Sequence, residues 1–154
     1  MINNLSYSED GLLLTEKSEG VSLSSYQDSG GVWTIGYGHT GPDVGPDLTI
    51  TQDQAQRFLS QDLLSAEQTV NQFVEVPLDQ EEFDALVDFV FNVGQQNFVT
   101  STLLRLLNNG DFQGAAQQLP RWDKCNGEVL NGLLERRHAE ENMFQDGMTR
   151  TRPA

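Results

Sequence analysis

One long apolar stripe constrains this chain more than any other feature. Ala55, Phe58, Leu59, Leu63, Ala66, Val70 and Phe73 recur three and four residues apart, with acids and glutamines between them. That is the period of a helix buried along one face. Thr51-x-x-Gln54 reads as a capping box at its start, and Pro77 ends it. A helix over about 52–74 reaches roughly 35 Å at 1.5 Å per residue. It is long enough to connect a small lobe holding a sheet to a helical lobe.

The residues before it supply the small lobe. Leu12, Leu13 and Glu16 at helical spacing predict a helix over Ser8 to Ser18, with Ser8 as N-cap and Gly20 where the chain leaves it. Leu23 to Tyr26 leads into an Asp28–Gly31 turn, and Val32 to Tyr37, β-branched and aromatic, reads as the returning strand. Gly36 and Gly38 flank Tyr37, which suggests a bulge, a packing constraint or a place where a ligand comes close to the backbone. Thr40 to Asp47 is a loop, and Leu48-Thr49-Ile50 can add a third short strand.

After the long helix, Asp79-x-x-Glu82 caps a helix whose stripe is Phe83, Leu86, Val87, Val90 and Phe91 and whose stop is Gly94. This is the expected core of the larger lobe. Asn97 to Thr100 is read as a link to a helix over Ser101 to Asn108. Another helix runs from Asp111 to Leu119, ended by Pro120. Asn126-Gly127 and Asn131-Gly132 read as turns, a last amphipathic helix runs to about Gln145, and residues 147–154 read as a frayed tail.

Chemistry-bearing residues concentrate between Glu19 and Thr40. Glu19 falls in the last turn of the first helix, where the helix dipole and apolar neighbours favour a protonated carboxyl. Asp28 lies in an Asp-Ser-Gly-Gly turn whose free amides favour an ionised one. Two carboxyls pulled apart in this way are what glycoside cleavage requires, one to protonate the leaving oxygen and one to act as base or nucleophile. Thr34 adds a small donor and acceptor able to hold a water. Taken singly, these residues are also an ordinary helix-end acid, a turn residue and a strand residue. His39 and His138 show no metal-ligand spacing, and His39 is expected to be structural, bonded to a carboxylate.

The spacing Glu19, Asp28, Thr34, followed by Ile35-Gly36-Tyr37-Gly38-His39-Thr40, resembles the catalytic signature of the bacteriophage-type lysozymes, the endolysins of glycoside hydrolase family twenty-four. Phe91-Asn92-Val93-Gly94, Asn97-Phe98, Ser101-Thr102-Leu103-Leu104, Asn108-Asn109-Gly110-Asp111, Arg121-Trp122, Gly132-Leu133, Arg136-Arg137 and Glu140 are similar to its later motifs, in the same order. Together they cover roughly residues 8–146.

The resemblance implies an α+β, mainly helical, lysozyme-like two-lobed fold in which a small antiparallel sheet joins a helical lobe through the long helix. The whole chain, 1–154, would be one catalytic domain. Its small lobe would cover about 15–55, its connecting helix about 52–74, and its helical lobe about 75–146 with the N-terminal helix. The implied activity is hydrolysis of the β-1,4 bond between N-acetylmuramic acid and N-acetylglucosamine in peptidoglycan, with inversion and with no cofactor or metal. Glu19 would be the acid, Asp28 the base activating water and Thr34 the residue orienting it. Tyr37, Phe91 and Thr102 are carried over as substrate-binding, with a core role for Phe91 and a helix-starting role for Thr102 equally open, and Arg136 as the electrostatic partner of Glu19. Such a partner opposes the helix-end and apolar effects on Glu19. A lytic transglycosylase and a non-catalytic glycan-binding module stay open as alternatives. The former would leave anhydro-sugars in place of reducing ends.

Charge and composition narrow the setting. Residues 1–100 carry sixteen acids against Lys17 and Arg57, giving 2 − 16 = −14, which is the formal charge of the whole chain. That surface argues against a nucleic-acid partner. Either it repels an anionic wall, so that salt improves catalysis by screening, or it serves solubility or a salty setting. The single cysteine, Cys125, forms no internal disulfide and is read as a free thiol suited to a reducing cytoplasm. No apolar run reaches membrane-spanning length, and the first residues lack a basic-then-apolar export pattern. The expectation is a monomer without membrane insertion, made in the host cytoplasm and acting on the wall in the periplasm or outside. A holin-like protein would open the membrane for it. A secreted toxin with the same catalytic domain is the other context.

Overall fold

The computed structural model describes residues 1–125, 128–129 and 131–152. The chain is mostly helical. Its α-helices are α1 (Glu9–Glu19), α2 (Gln52–Phe73), α3 (Gln80–Val93), α4 (Gln95–Val99), α5 (Thr102–Asn108), α6 (Phe112–Gln118) and α7 (Asn131–Thr151), with a 3-10 turn at Leu119–Arg121. Two antiparallel ribbons accompany them, β1 (Ser22–Gln27) with β2 (Trp33–Gly36), and β3 (Lys124–Cys125) with β4 (Glu128–Val129).

Local signals place the helix starts. Ser8 Oγ accepts from Gly11 N at 3.3 Å to cap α1. At α2 the capping box is complete, with Gln54 N donating to Thr51 Oγ1 at 3.1 Å and Thr51 N to Gln54 Oε1 at 2.8 Å. Asp79 and Glu82 make the same reciprocal pair at α3. In α3, Phe83, Ala85, Leu86, Val87 and Phe89 are fully buried, and the helix packs against α1, α2 and α7. It is the axis of the helical side.

Several boundaries differ from the sequence reading. Leu48–Ile50 forms no third strand: Ser25 N donates to Leu48 O and Ile50 N to Leu23 O, but a single bridge, Ser24 to Thr49, is reached before Thr51 turns the chain into α2. The link expected at Asn97–Thr100 belongs largely to α4, because Gly94, at φ 93°, breaks the axis of α3 and lets a new turn bury Phe98. Asn131-Gly132 opens α7 and is no turn. Asn126-Gly127 lies outside the described residues, and the sequence reading did not anticipate the pairing of β3 with β4.

The largest correction concerns the C-terminal segment. α7 continues to Thr151 instead of stopping near Gln145, and residues 147–152 are no frayed tail. Gly147 lies against Asp79 and Glu82 where a Cβ would collide with both side chains. Arg152 Nη1 donates to both oxygens of Glu82, at 2.8 and 2.6 Å, and its guanidinium lies 3.7 Å from the centre of the Phe112 ring. Glu82 is fully buried, so the capping acid of α3 needs this cation. The N-terminal segment is tied down as well. Asn3 donates to Val76 O at 2.8 Å and accepts from Leu78 N at 2.9 Å, across the α2–α3 connection.

His39 fastens the β1–β2 side to α2. Its Nδ1 lies 2.8 Å from Asp62 Oδ2, its Nε2 lies 3.0 Å from Asp43 Oδ2, and its ring stacks on Phe58 at 4.3 Å. The structural role read from the sequence is present, with two carboxylates where one was expected. Burial disfavours the imidazolium, but bonds to Asp43 and Asp62 outweigh it, so the His39 pKa is raised. A raised value means the folded protein binds this proton more tightly. The stability it contributes is therefore full below about pH 6.5 and is lost as pH rises through the folded value. The stability difference between wild type and His39→Asn, from urea unfolding across pH, is expected to shrink as pH rises above neutrality. A constant difference would show that the ring contributes by packing alone.

Candidate functional site

Glu19 is where two hollows meet. The larger, about 400 Å³, lies between α2 and the end of α3 and is lined by Glu19, Gly38, Asp62, Thr69, Phe91 and Asn92 among others. The second, about 340 Å³, lies against the β1–β2 ribbon and includes Glu19, Val21, Ser22, Tyr26 and Gly36. Glu19 closes α1, and Gly20 at φ 67° turns the chain away from it. The carboxyl is left 19% exposed, open to both hollows.

Its neighbour is a guanidinium where the sequence suggested apolar groups. Arg136 Nη1 lies 2.5 Å from Glu19 Oε2, which is the pairing expected for Arg136. The same arginine donates Nε and Nη2 to Asp88 Oδ2 and Oδ1 at 2.9 and 2.8 Å. Burial disfavours its charge, yet the bonds to Asp88 and the attraction of both carboxylates push its pKa up. Arg136 thus draws α1, α3 and α7 to one point.

Asp28 lies in the predicted turn between β1 and β2. Its Oδ1 accepts from Gly30 N at 2.8 Å and Val32 N at 2.9 Å, so backbone amides hold one oxygen and Oδ2 is left for another partner. The side chain is exposed. Thr34 is opposite Tyr26 in the ribbon, and directly paired residues share a face. Tyr26 lines the hollow beside Glu19, whereas Asp28 and Thr34 line neither hollow, and Thr34 is buried. Thr34 Oγ1 donates to Val32 O at 2.9 Å, which commits its proton and leaves its lone pairs as acceptors.

The remaining predicted residues divide. Phe91 lines the larger hollow. Tyr37 and Thr102 line neither hollow: Tyr37 is 7% exposed with its hydroxyl held by Gln52 and Gln56, and Thr102 is the exposed first residue of α5. Sequence reasoning missed Asp88 and Tyr26, which carried only core-helix and strand signals. It also missed what approaches Gly38. The close neighbour is Glu19 itself, with Oε1 2.7 Å from where a Cβ would stand. Among the described residues no three His, Cys, Asp or Glu side chains gather as a metal site, and no helix is long and apolar enough to cross a membrane.

The Phage lysozyme family model matches residues 16–140. An endolysin of Acyrthosiphon pisum secondary endosymbiont phage 1 is 43% identical over 143 residues, spanning 90% of this chain and 97% of that protein. In three dimensions the chain is similar to an endolysin from Escherichia coli O157:H7 phage FAHEc1, with a TM-score of 0.88 at 33% identity, over 95% of this chain and 97% of that one. It is similar also to the muramidase domain of SpmX from Asticaccaulis excentricus, with a TM-score of 0.85 at 37% identity, over 92% and 98%.

The Gly38 contact yields a test that needs no substrate. Gly38 and Gly110 lie at nearly the same left-handed φ, 81° and 84°, but a Cβ at Gly110 meets nothing within 4 Å. Both alanine variants carry the backbone strain, and Gly38→Ala must also displace Glu19. Urea unfolding is expected to show Gly38→Ala less stable than Gly110→Ala by about 1–3 kcal/mol. Equal losses would mean that Glu19 moves aside freely.

Proposed function

The chain belongs to the phage lysozyme family, and from that premise we infer that it is a peptidoglycan hydrolase, a lysozyme of the endolysin type, working by inverting acid and base catalysis. The observation that carries this reading is the position of Glu19, half-buried against an arginine yet open to hollows on both the α2–α3 side and the ribbon side. A glycan laid through both hollows passes its linkage over that carboxyl.

Glu19 then protonates the oxygen leaving from the β-1,4 bond between N-acetylmuramic acid and N-acetylglucosamine. Asp28, with Oδ1 held by two amides, accepts a proton from the attacking water. Thr34, whose own proton goes to Val32 O, accepts the hydrogen bond from the water's second hydrogen. A water held by those two acceptors turns a lone pair toward the anomeric carbon. Its oxygen forms the new bond as the glycosidic bond breaks, and both protons are accounted for. Phe91, and on the ribbon side Tyr26, are the aromatic faces against which sugar rings rest.

A lytic transglycosylase would need Glu19 alone, and the amide-held Asp28 favours hydrolysis over it. Glu19→Gln is expected to lower wall lysis about 10²- to 10⁴-fold with the circular-dichroism spectrum unchanged, and Asp28→Asn to do nearly the same. Full activity in a folded Glu19→Gln protein would remove the assignment. Mass analysis of a muropeptide digest should find reducing ends, and early nuclear magnetic resonance spectra should find the α-anomer forming first. Anhydro-sugars would establish the transglycosylase, and a β-anomer would replace inversion by retention.

A further inference from the structure

Beneath Glu19 lies a buried group that the reaction above does not use: Asp88, Glu140 and Arg137, at 1% exposure or less. Asp88 has four acceptor positions, and donors fill three of them. Oδ1 takes Thr15 Oγ1 at 2.7 Å and Arg136 Nη2 at 2.8 Å, while Oδ2 takes Arg136 Nε at 2.9 Å. Thr15 in turn is bonded to the Tyr7 hydroxyl at 2.7 Å. Since Thr15 gives its proton to Asp88, Tyr7 donates to Thr15. Glu140, fully buried beside Asp88, is the group able to fill the remaining position on Oδ2, and its own Oε1 has no hydrogen bond among the described residues.

Two carboxyls joined by a hydrogen bond need a proton between them. With both ionised, Glu140 Oε1 is buried without a hydrogen bond among the described residues. Arg137 Nε lies 2.7 Å from it but off the N–H line, so that approach is a charge contact only. Arg137 Nη2 donates to Glu140 Oε2 at 3.0 Å, and its guanidinium lies 5.1 Å from the centre of the Phe89 ring.

We propose that Glu140 is a protonated acid donating to Asp88, and that Asp88, kept ionised in this way, is a positioning residue that occupies two donors of Arg136 and offsets its charge. Only Nη1 is left for Glu19, so the pull of the guanidinium on that carboxyl is shared with Asp88. The inference rests on Glu19 being the general acid. Directions of titration agree with the geometry. Burial and then Asp88 raise Glu140 well above the carboxylate range, while for Asp88 burial is outweighed by the bonds from Glu140 and Arg136, and its pKa falls.

Other charged or titratable groups face the cluster from the elements around it. Tyr7 and Asp84 stand on the N-terminal and α3 sides, Lys17 and Glu135 share a hollow with Arg136 between α1 and α7, and Asp62 of α2 faces Glu19 across the larger hollow. None of them bonds Arg136 in the described residues.

The test is the pH profile of kcat/KM on soluble peptidoglycan fragments, whose alkaline limb reports the free enzyme's acid. Asp88→Asn removes the offsetting charge, so Arg136 acts on Glu19 alone and the limb is expected to move to lower pH by about one unit or more. Glu140→Gln, whose amide donates to Asp88 and accepts from Arg137 as a neutral acid does, is expected to leave the limb in place. A role confined to folding would lower the rate at every pH without moving the limb. An unmoved limb in folded Asp88→Asn, or an equal shift in Glu140→Gln, overturns the proposal. Where Asp88→Asn does not fold, infrared difference spectroscopy decides. Wild type should show a protonated-carboxyl band at neutral pH that Glu140→Gln lacks, and absence of that band overturns it. Carbon-13 titration of Glu19 in wild type and Asp88→Asn reads the same shift without turnover, so it stands apart from the outcome of Glu19→Gln.

Discussion

Arg136 holds the molecule at its working point. From α7 it reaches Asp88 on α3 through two donors and Glu19 at the end of α1 through a third. Truncating it would leave a fully buried aspartate without its cation, a loss of about 3–5 kcal/mol where such pairs are broken. It would also free the one carboxyl whose position the chemistry depends on. Stability and site geometry meet in one side chain, so neither is separable by mutating the arginine itself.

Around that point the architecture keeps Glu19 from drifting. α1 is short and begins on Ser8, which is anchored to Asp84 of α3 by its backbone and its hydroxyl. It ends at Gly20, and Glu19 is backed by Gly38, where no side chain fits without moving the acid. On the other side, α2 carries both the face of the larger hollow and Asp62, which binds His39 from the ribbon side. One helix thus sets the cleft wall and the attachment of the ribbon that carries Asp28 and Thr34.

What the sequence disclosed was local in the chain. The caps at Ser8, Thr51 and Asp79, the stops at Gly20 and Gly94, and the Asp28 turn depend on residues within four positions, so short spacings read them correctly. The Asp88–Arg136 bond spans 48 positions and Glu82–Arg152 spans 70. Asp88 sits on the buried face of α3, where an acid looks like an error in the apolar stripe until a partner from α7 is seen. The end of α7 was missed for the same reason: polar, arginine-bearing residues 147–152 look solvated unless Glu82 is known to be buried beneath them. At Tyr37 the signal pointed the other way: a glycine-flanked aromatic looks open to ligand, but the side chain is buried and its hydroxyl is bound by two glutamines of α2.

The buried ionic group invites the question of why an apolar core was not used instead. Buried ion pairs often contribute less than well-packed apolar residues of the same volume, and here Arg137 is bonded to Glu140 imperfectly, with two of its nitrogens unbonded among the described residues. An apolar replacement would remove that mismatch, but it would also remove the counter-charge for Arg136. The guanidinium would then have only Glu19 to answer it. A general acid must release its proton to the leaving oxygen and regain it in each cycle, which a carboxylate clamped by an undivided cation does poorly. The costly arrangement under Glu19 therefore makes physical sense as the means of keeping an arginine close enough to fix the carboxyl while Asp88 shares its charge.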